Sequence, residues 1–215
     1  METKKIIAAN KQVVFLHIIF FVGIIGHLYD PLRNLMLLLT PLTLLLTGFT
    51  VIFYSYKTST IKFLFWAVLT YVFTFIIEVI GVKTGLIFGE YIYGSTLGIK
   101  LSGVPLIIGF NWMLVILGSI SVARLITNNI FLSGFISAFI AFVFDFILEP
   151  VAIRLDYWNW TEGIIPIQNY IAWFVIALIS AFGFNYLKVN VKSKISLHYL
   201  LVQFIFFVTL LMFYN

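Results

Sequence analysis

Seven stretches of this chain are apolar for long enough to cross a bilayer, and nothing else constrains the fold as strongly. A membrane helix needs about 20 mostly apolar residues to cross about 30 Å of hydrocarbon. That rule picks out residues 12–29, 35–56, 61–82, 104–126, 130–153, 169–187 and 195–213. The 215-residue chain is 62% hydrophobic and 10% charged, more apolar than a water-soluble domain of this size can hide. The expected fold is therefore all-α: a polytopic bundle of about seven transmembrane helices, one domain over residues 1–215, with lipid as its main solvent. The breaks between runs suit this division. Asp30-Pro31 suits a helix start, Thr58-Ser59-Thr60 a short turn, Asn128-Asn129 another, and Lys188 to Lys194 a basic hinge. The basic opening METKKIIAANK resembles a signal peptide, but no small-residue cleavage site follows before Asp30, so a retained first helix is expected.

Charge sets the orientation. Lys4, Lys5, Lys11, Lys57, Lys62, Arg124, Lys188, Lys192 and Lys194 fall on one side of the expected bundle, nine residues against four (Arg33, Lys83, Lys100 and Arg154) on the other. The richer side is expected to be cytoplasmic, which places the N-terminus on the cytoplasmic side of a bacterial cytoplasmic membrane, the C-terminus outside, and a site near the extracytoplasmic face. The net charge of +5 reads as this topology signal and not as a nucleic-acid surface. The absence of cysteine removes disulfides, thiolate nucleophiles and Cys-ligated metals.

The acids are one-sided as well. Of eight, only Glu2 is on the cytoplasmic side; Asp30, Glu78, Glu90, Asp145, Glu149, Asp156 and Glu162 lie at or near the outer face. A wetted rim suffices for Asp156 and Glu162, but not as well for Glu78 and Asp145. These two sit one to two helical turns inside the third and fifth runs, about 6–12 Å below the interface. A carboxylate at that depth is costly unless it meets a cavity, a partner or a proton. A dry site favours the neutral form of a carboxyl, which suits an acid's role. Glu149, one turn from Asp145 on the same helix face, is placed to share a proton with it. The bland alternative pairs these acids with Lys83, Lys100 or Arg154 to hold the bundle together.

Two stretches break the apolar pattern. Glu78 to Trp112 carries Glu90, Lys83, Lys100, Tyr91, Tyr93, Pro105 and seven glycines between two long apolar runs. It is either a long solvated loop or the wall of a site, and the site is the preferred reading. Within it Glu90 and the tyrosines are expected to shape a lid, and Gly103-Val104-Pro105 to set the re-entry into the membrane. The second stretch, Asp145 to Trp173, carries Tyr157, Trp158, Trp160, Gly163, Pro166 and Asn169. Tyr157 reads as an interfacial belt residue, and Asn169 as the cap of the sixth helix. Loops 83–103 and 154–168 open on the same side and can build one site. Tyr91, Tyr93, Trp112, Trp158, Trp160 and Trp173 would surround it with ring faces able to steady a cation, although aromatics are 19% of the chain and some would lie near any site.

Other chemistries lack their signatures. There is no phosphate-binding loop and no dinucleotide fingerprint. His17, His27 and His198 show no metal spacing; His17 and His198 read as packing residues, with His27 an outlying candidate for the site. The last run has no lysine, which argues against a retinal Schiff base.

The two polar stretches resemble the carotenoid biosynthesis protein family of integral membrane hydratases, which includes carotenoid 1,2-hydratases and bisanhydrobacterioruberin hydratase. The resemblance spans residues 75–175 and rests on Glu78, Gly81, Thr84-Gly85, Gly89, Tyr91, Tyr93, Leu101, Gly103-Val104-Pro105 and Trp112. It continues with Asp145, Glu149-Pro150, Trp158, Trp160, Gly163, Ile165-Pro166, Asn169 and Trp173. The stretch Gly163 to Pro166 departs from the pattern, being shorter and without tyrosines before the proline, which bears on substrate detail. The first two runs and the last read as generic apolar helix.

The resemblance implies addition of water across the terminal 1,2 double bond of a linear carotenoid, giving a tertiary alcohol. Such a reaction needs a strong acid in a dry pocket, shelter for a tertiary cation and one controlled water. The expected catalytic residues are Glu78, Asp145 and Glu149, with either Asp145 or Glu78 as proton donor and the other, with Glu149, placing the water. The implied substrate contacts are Tyr91, Tyr93, Trp112, Trp158, Trp160, Asn169 and Trp173, with Glu90, Gly85, Gly89 and Pro105 shaping the site. No cofactor or metal is expected, because hydration is redox-neutral. The expected partners are a linear carotenoid and the lipid bilayer, with no nucleic acid; the oligomeric state is not legible. Two alternatives stay open: a carotenoid cyclase, which protonates the same bond and lets a neighbouring alkene trap the cation, and a non-catalytic carrier of carotenoids or other small molecules.

Overall fold

The computed structural model describes the backbone of residues 2–214 and the side chains of residues 11–214. The side chains of Glu2, Lys4 and Lys5, counted above for orientation, lie outside the described residues. Seven helices make up the bundle: α1 (Glu2–Leu28), α2 (Asp30–Tyr56), α3 (Ile61–Thr84), α4 (Ile107–Ile126), α5 (Ile130–Arg154), α6 (Ile167–Tyr186) and α7 (Ile195–Phe213). Each is long and apolar enough to span a bilayer. The chain is an all-α integral membrane protein.

Local chemistry sets the helix ends. Pro31 sits in the first turn of α2, where the missing N–H has no helical partner to lose, so the helix starts at Asp30 and not at residue 35. The Asn129 side chain caps α5 by accepting from the amides of Phe131 and Leu132 at 3.0 and 3.1 Å. Gly85 ends α3 in the left-handed conformation, its amide donating to the Gly81 carbonyl. The fourth helix begins at Ile107, later than the apolar run at residue 104. Strands β2 (Lys100–Leu101) and β3 (Val104–Pro105) pair there as a small antiparallel hairpin before the chain turns into α4.

Helix α4 is the hub, packed against α2, α3, α5, α6 and α7 and buried for most of its length. Gly118 lets α7 approach closely: a Cβ there would lie 2.7 Å from Leu200 Cβ. The surrounding helices turn Leu, Ile and Phe outward, as at Phe21, Leu38, Phe65 and Phe139, which is expected where the solvent is lipid and packing rather than hydrophobic exclusion holds the helices together. Polar ties also cross between elements: Trp66 donates to the Ser180 carbonyl at 3.0 Å, and Arg124 reaches Asn185 and the Val189 carbonyl at 3.1 Å each.

Both polar stretches meet at one end of the bundle. Strand β1 (Tyr91–Tyr93) pairs antiparallel with β4 (Trp158–Trp160), with Tyr91 opposite Trp160 and Tyr93 opposite Trp158. These short strands lie across the ends of the helices as a two-stranded lid.

Candidate active site

A strand's side chains alternate between its faces, and both lid strands use that alternation. Tyr91, Tyr93, Trp158 and Trp160 point inward and are buried, while Ile92 and Asn159 face out. The ribbon is fastened beyond its end. The Gly94 amide donates to the Tyr157 carbonyl at 2.9 Å, and Ser95 donates its amide and hydroxyl to Asp156 Oδ2 at 3.0 and 3.1 Å. Gly94 lies so close to the Asp156 carbonyl that a Cβ would collide with it. Asp156, expected only at a wetted rim, ties the lid to the end of α5.

Beneath the lid the two glutamates are each held by three neutral donors. Glu78 Oε2 accepts from the Tyr91 and Tyr93 hydroxyls at 2.5 and 2.7 Å, and its Oε1 accepts from Trp112 Nε1 at 2.7 Å. Glu149 Oε2 accepts from the indole nitrogens of Trp158 and Trp160, both at 2.9 Å, and its Oε1 from Asn169 Nδ2 at 3.0 Å. The same Asn169 nitrogen donates to Asp145 Oδ2 at 2.8 Å, so one amide joins two carboxyls. Asp145 is completely buried, and its Oδ1 has no partner among the described residues. Burial, followed by the negative charge of Glu78, pushes the Tyr91 and Tyr93 phenols well above their ordinary pKa, so both stay neutral as hydrogen-bond donors.

Among the described residues no cation answers these three carboxyls. Among the described residues the one ion pair is Arg33 with Asp30. Lys100 donates to the Tyr93 carbonyl at 2.6 Å and Arg154 to the Tyr214 carbonyl at 2.7 Å, while Lys83 is exposed. The ion-pair reading of the acids is thereby overturned. Nor do the described residues hold a cluster of three or more His, Asp or Glu side chains arranged for a metal ion.

A cavity of about 250 Å³ opens between the glutamates. Glu78, Glu149 and Asn169 line it together with Phe88, Tyr91, Tyr93, Trp112, Trp158, Trp160 and Trp173. Trp112 and Trp173 stack at its side with ring centroids 3.6 Å apart, and Tyr91 lies 5.0 Å from Trp160. Asp145 does not reach the cavity; it stands behind Asn169. Of the shaping residues, Glu90 is exposed with its side chain over Gly85, Gly89 lies against Pro166, and Pro105 belongs to β3.

Several expectations need correction. Asn169 does not cap α6: Pro166 holds that position, and the amide turns inward because two buried carboxyls need a donor. Tyr157 is no belt residue but a buried part of the cavity wall. Helices α1, α2 and α7 are not generic, since His27, Thr40, Gln203 and Phe206 complete the wall from their side. His27 is buried, its Nδ1 lies 2.7 Å from the Gly23 carbonyl, and its Nε2 has no partner among the described residues. Sequence reasoning passed over Asn111, Gln203 and Phe88. The first two had a readable signal, because each is a lone amide inside an apolar run.

The fold and the site together define an integral membrane protein that holds an acidic, aromatic-walled cavity under a lid at one end of its bundle. Comparison with protein families matches residues 39–215 to the family described as carotenoid biosynthesis protein. The chain belongs to that family. No curated protein and no solved structure matches it.

Proposed function

We propose that the protein is a carotenoid hydratase, adding water across the terminal 1,2 double bond of a linear carotenoid. One observation carries the reading: two carboxyl groups, with no cation beside them among the described residues, face a single cavity whose other walls are mostly hydrocarbon and aromatic rings. Three carboxyls in such a site cannot all be ionised, because neutral donors alone, with no cation beside them among the described residues, do not repay the loss of hydration. Asp145 and Glu149 are one turn apart and share the Asn169 amide, so as a coupled pair they hold one proton between them. Glu149, expected from the sequence to help place the water, is the member of the pair that lines the cavity, so it and not Asp145 hands the proton to the alkene. Its transfer makes a C–H bond at C2 and leaves a tertiary cation at C1, which the faces of Trp112, Trp173 and Trp160 shelter. Glu78, fixed as an acceptor by Tyr91, Tyr93 and Trp112, orients a water whose oxygen bonds to C1 and takes the proton that water releases. On the Lys and Arg count the lid end faces away from the cytoplasm.

The test is to express the protein in a bacterium that makes lycopene and to weigh the pigments. Gain of the mass of one water per modified end is the expected result. A new ring at unchanged mass would mean a cyclase, and unaltered pigment would mean a carrier; either outcome sinks the hydratase reading.

A further inference from the structure

The cavity does not end at the glutamates. It continues between α1, α2 and α7, where Ile19, Gly23, Leu39 and Thr43 line it. Val22 lines this arm too, yet it is 52% exposed on the outside of the bundle. Ile19, Leu39 and Thr43 are partly exposed as well. The arm therefore reaches the surface that faces lipid. Toward the aqueous end the cavity is shut by the paired lid strands, whose inward side chains are buried and hydrogen-bonded to the glutamates. At about 250 Å³ the cavity is smaller than the roughly 300–1,000 Å³ usual for drug-sized ligands. It accommodates the end of a long polyene and not its whole length, so the remainder must lie outside.

We infer that the cleft between α1 and α2 is a lateral port, through which the end of a linear polyene enters from the bilayer and in which the adjoining chain lies while that end meets the carboxyls. The inference takes its substrate class from the hydratase reading. An apolar chain that stays in lipid loses no favourable surroundings on approach, and the wall it would follow is mostly hydrocarbon. Helix α1, one lip of the port, precedes the residues matched to the family.

Photo-cross-linking tests the port without requiring turnover. Photoreactive benzoylphenylalanine is placed at position 22 or 39, and in separate proteins at positions 14 and 42 as controls. Val14 and Leu42 are 53% and 61% exposed on the same two helices and do not line the cavity. Each protein is reconstituted in lipid nanodiscs with lycopene, checked for a monodisperse elution profile, irradiated and analysed by peptide mass spectrometry. Lycopene adducts at positions 22 and 39, absent at 14 and 42, are expected. Equal labelling of the controls, or no adduct at either port position, overturns the port. Adducts formed by a protein that adds no water would sink the hydratase reading alone, whereas hydrated pigment without adducts would sink the port alone.

Discussion

At the scale of single residues, the site turns on how donors are shared among three carboxyls. An indole N–H can only donate, so the oxygens facing Trp112, Trp158 and Trp160 must accept. A glutamine in place of Glu149 or Glu78 fills the same space but neither transfers a proton nor takes one. Glu149→Gln and Glu78→Gln are each expected to lower turnover about 100-fold or more, measured as hydrated pigment per unit of protein accumulated in the membrane. Near-normal turnover in both would remove the acid–base assignment. On the proposed mechanism Asp145 works at one remove, through a proton shared with Glu149, so Asp145→Asn is also expected to be impaired. The pair gives a sharper readout than either single change: if both residues hold one proton, Asp145→Asn with Glu149→Gln is no slower than Glu149→Gln alone. Additive losses would mean that the two act separately.

At the scale of elements, the lid is what converts two loops into a site. Its strands were not legible as strands, because three residues, aromatic at each end with Ile92 or Asn159 between, are too short for periodicity to show. Their residues were legible as polar and aromatic breaks in apolar runs, which is why Glu78, Tyr91, Tyr93, Trp158 and Trp160 stood out before their pairing was visible. Asn169 does not cap its helix although its position near a helix start satisfies the local rule, because the buried carboxyls that claim its amide come from the preceding helix, beyond the reach of that rule. Gly94 tests the lid directly. In Gly94→Ala the new methyl meets the Asp156 carbonyl, and relief requires the strands to shift, at a cost of about 1–3 kcal/mol. Amide hydrogen exchange in detergent should then quicken at residues 91–93 and 158–160 while α4 stays protected. Unchanged protection of both strands would show that the close approach at Gly94 does not hold the lid.

At the scale of the whole molecule, the seven helices were readable from length and hydropathy alone, since a bilayer imposes one span length on every crossing. What composition hides is which apolar helices enclose space. Helices α1, α2 and α7 look alike as sequences, yet His27, Thr40 and Gln203 bring them into the cavity wall, and only packing decides which face turns inward. Orientation is the remaining property of the whole chain, and it rests on the Lys and Arg imbalance between the two ends. The chain contains no cysteine, so a single introduced thiol reports its own side of the membrane. Ile92 on the outer face of the lid is 67% exposed, and Lys192 in the loop before α7 is also exposed. In intact cells a membrane-impermeant maleimide should label Ile92→Cys, and Lys192→Cys only after permeabilisation. The reverse pattern would put the lid in the cytoplasm. The port would keep its place in either case, because a chain entering from the side depends on the bilayer and not on which compartment the lid faces.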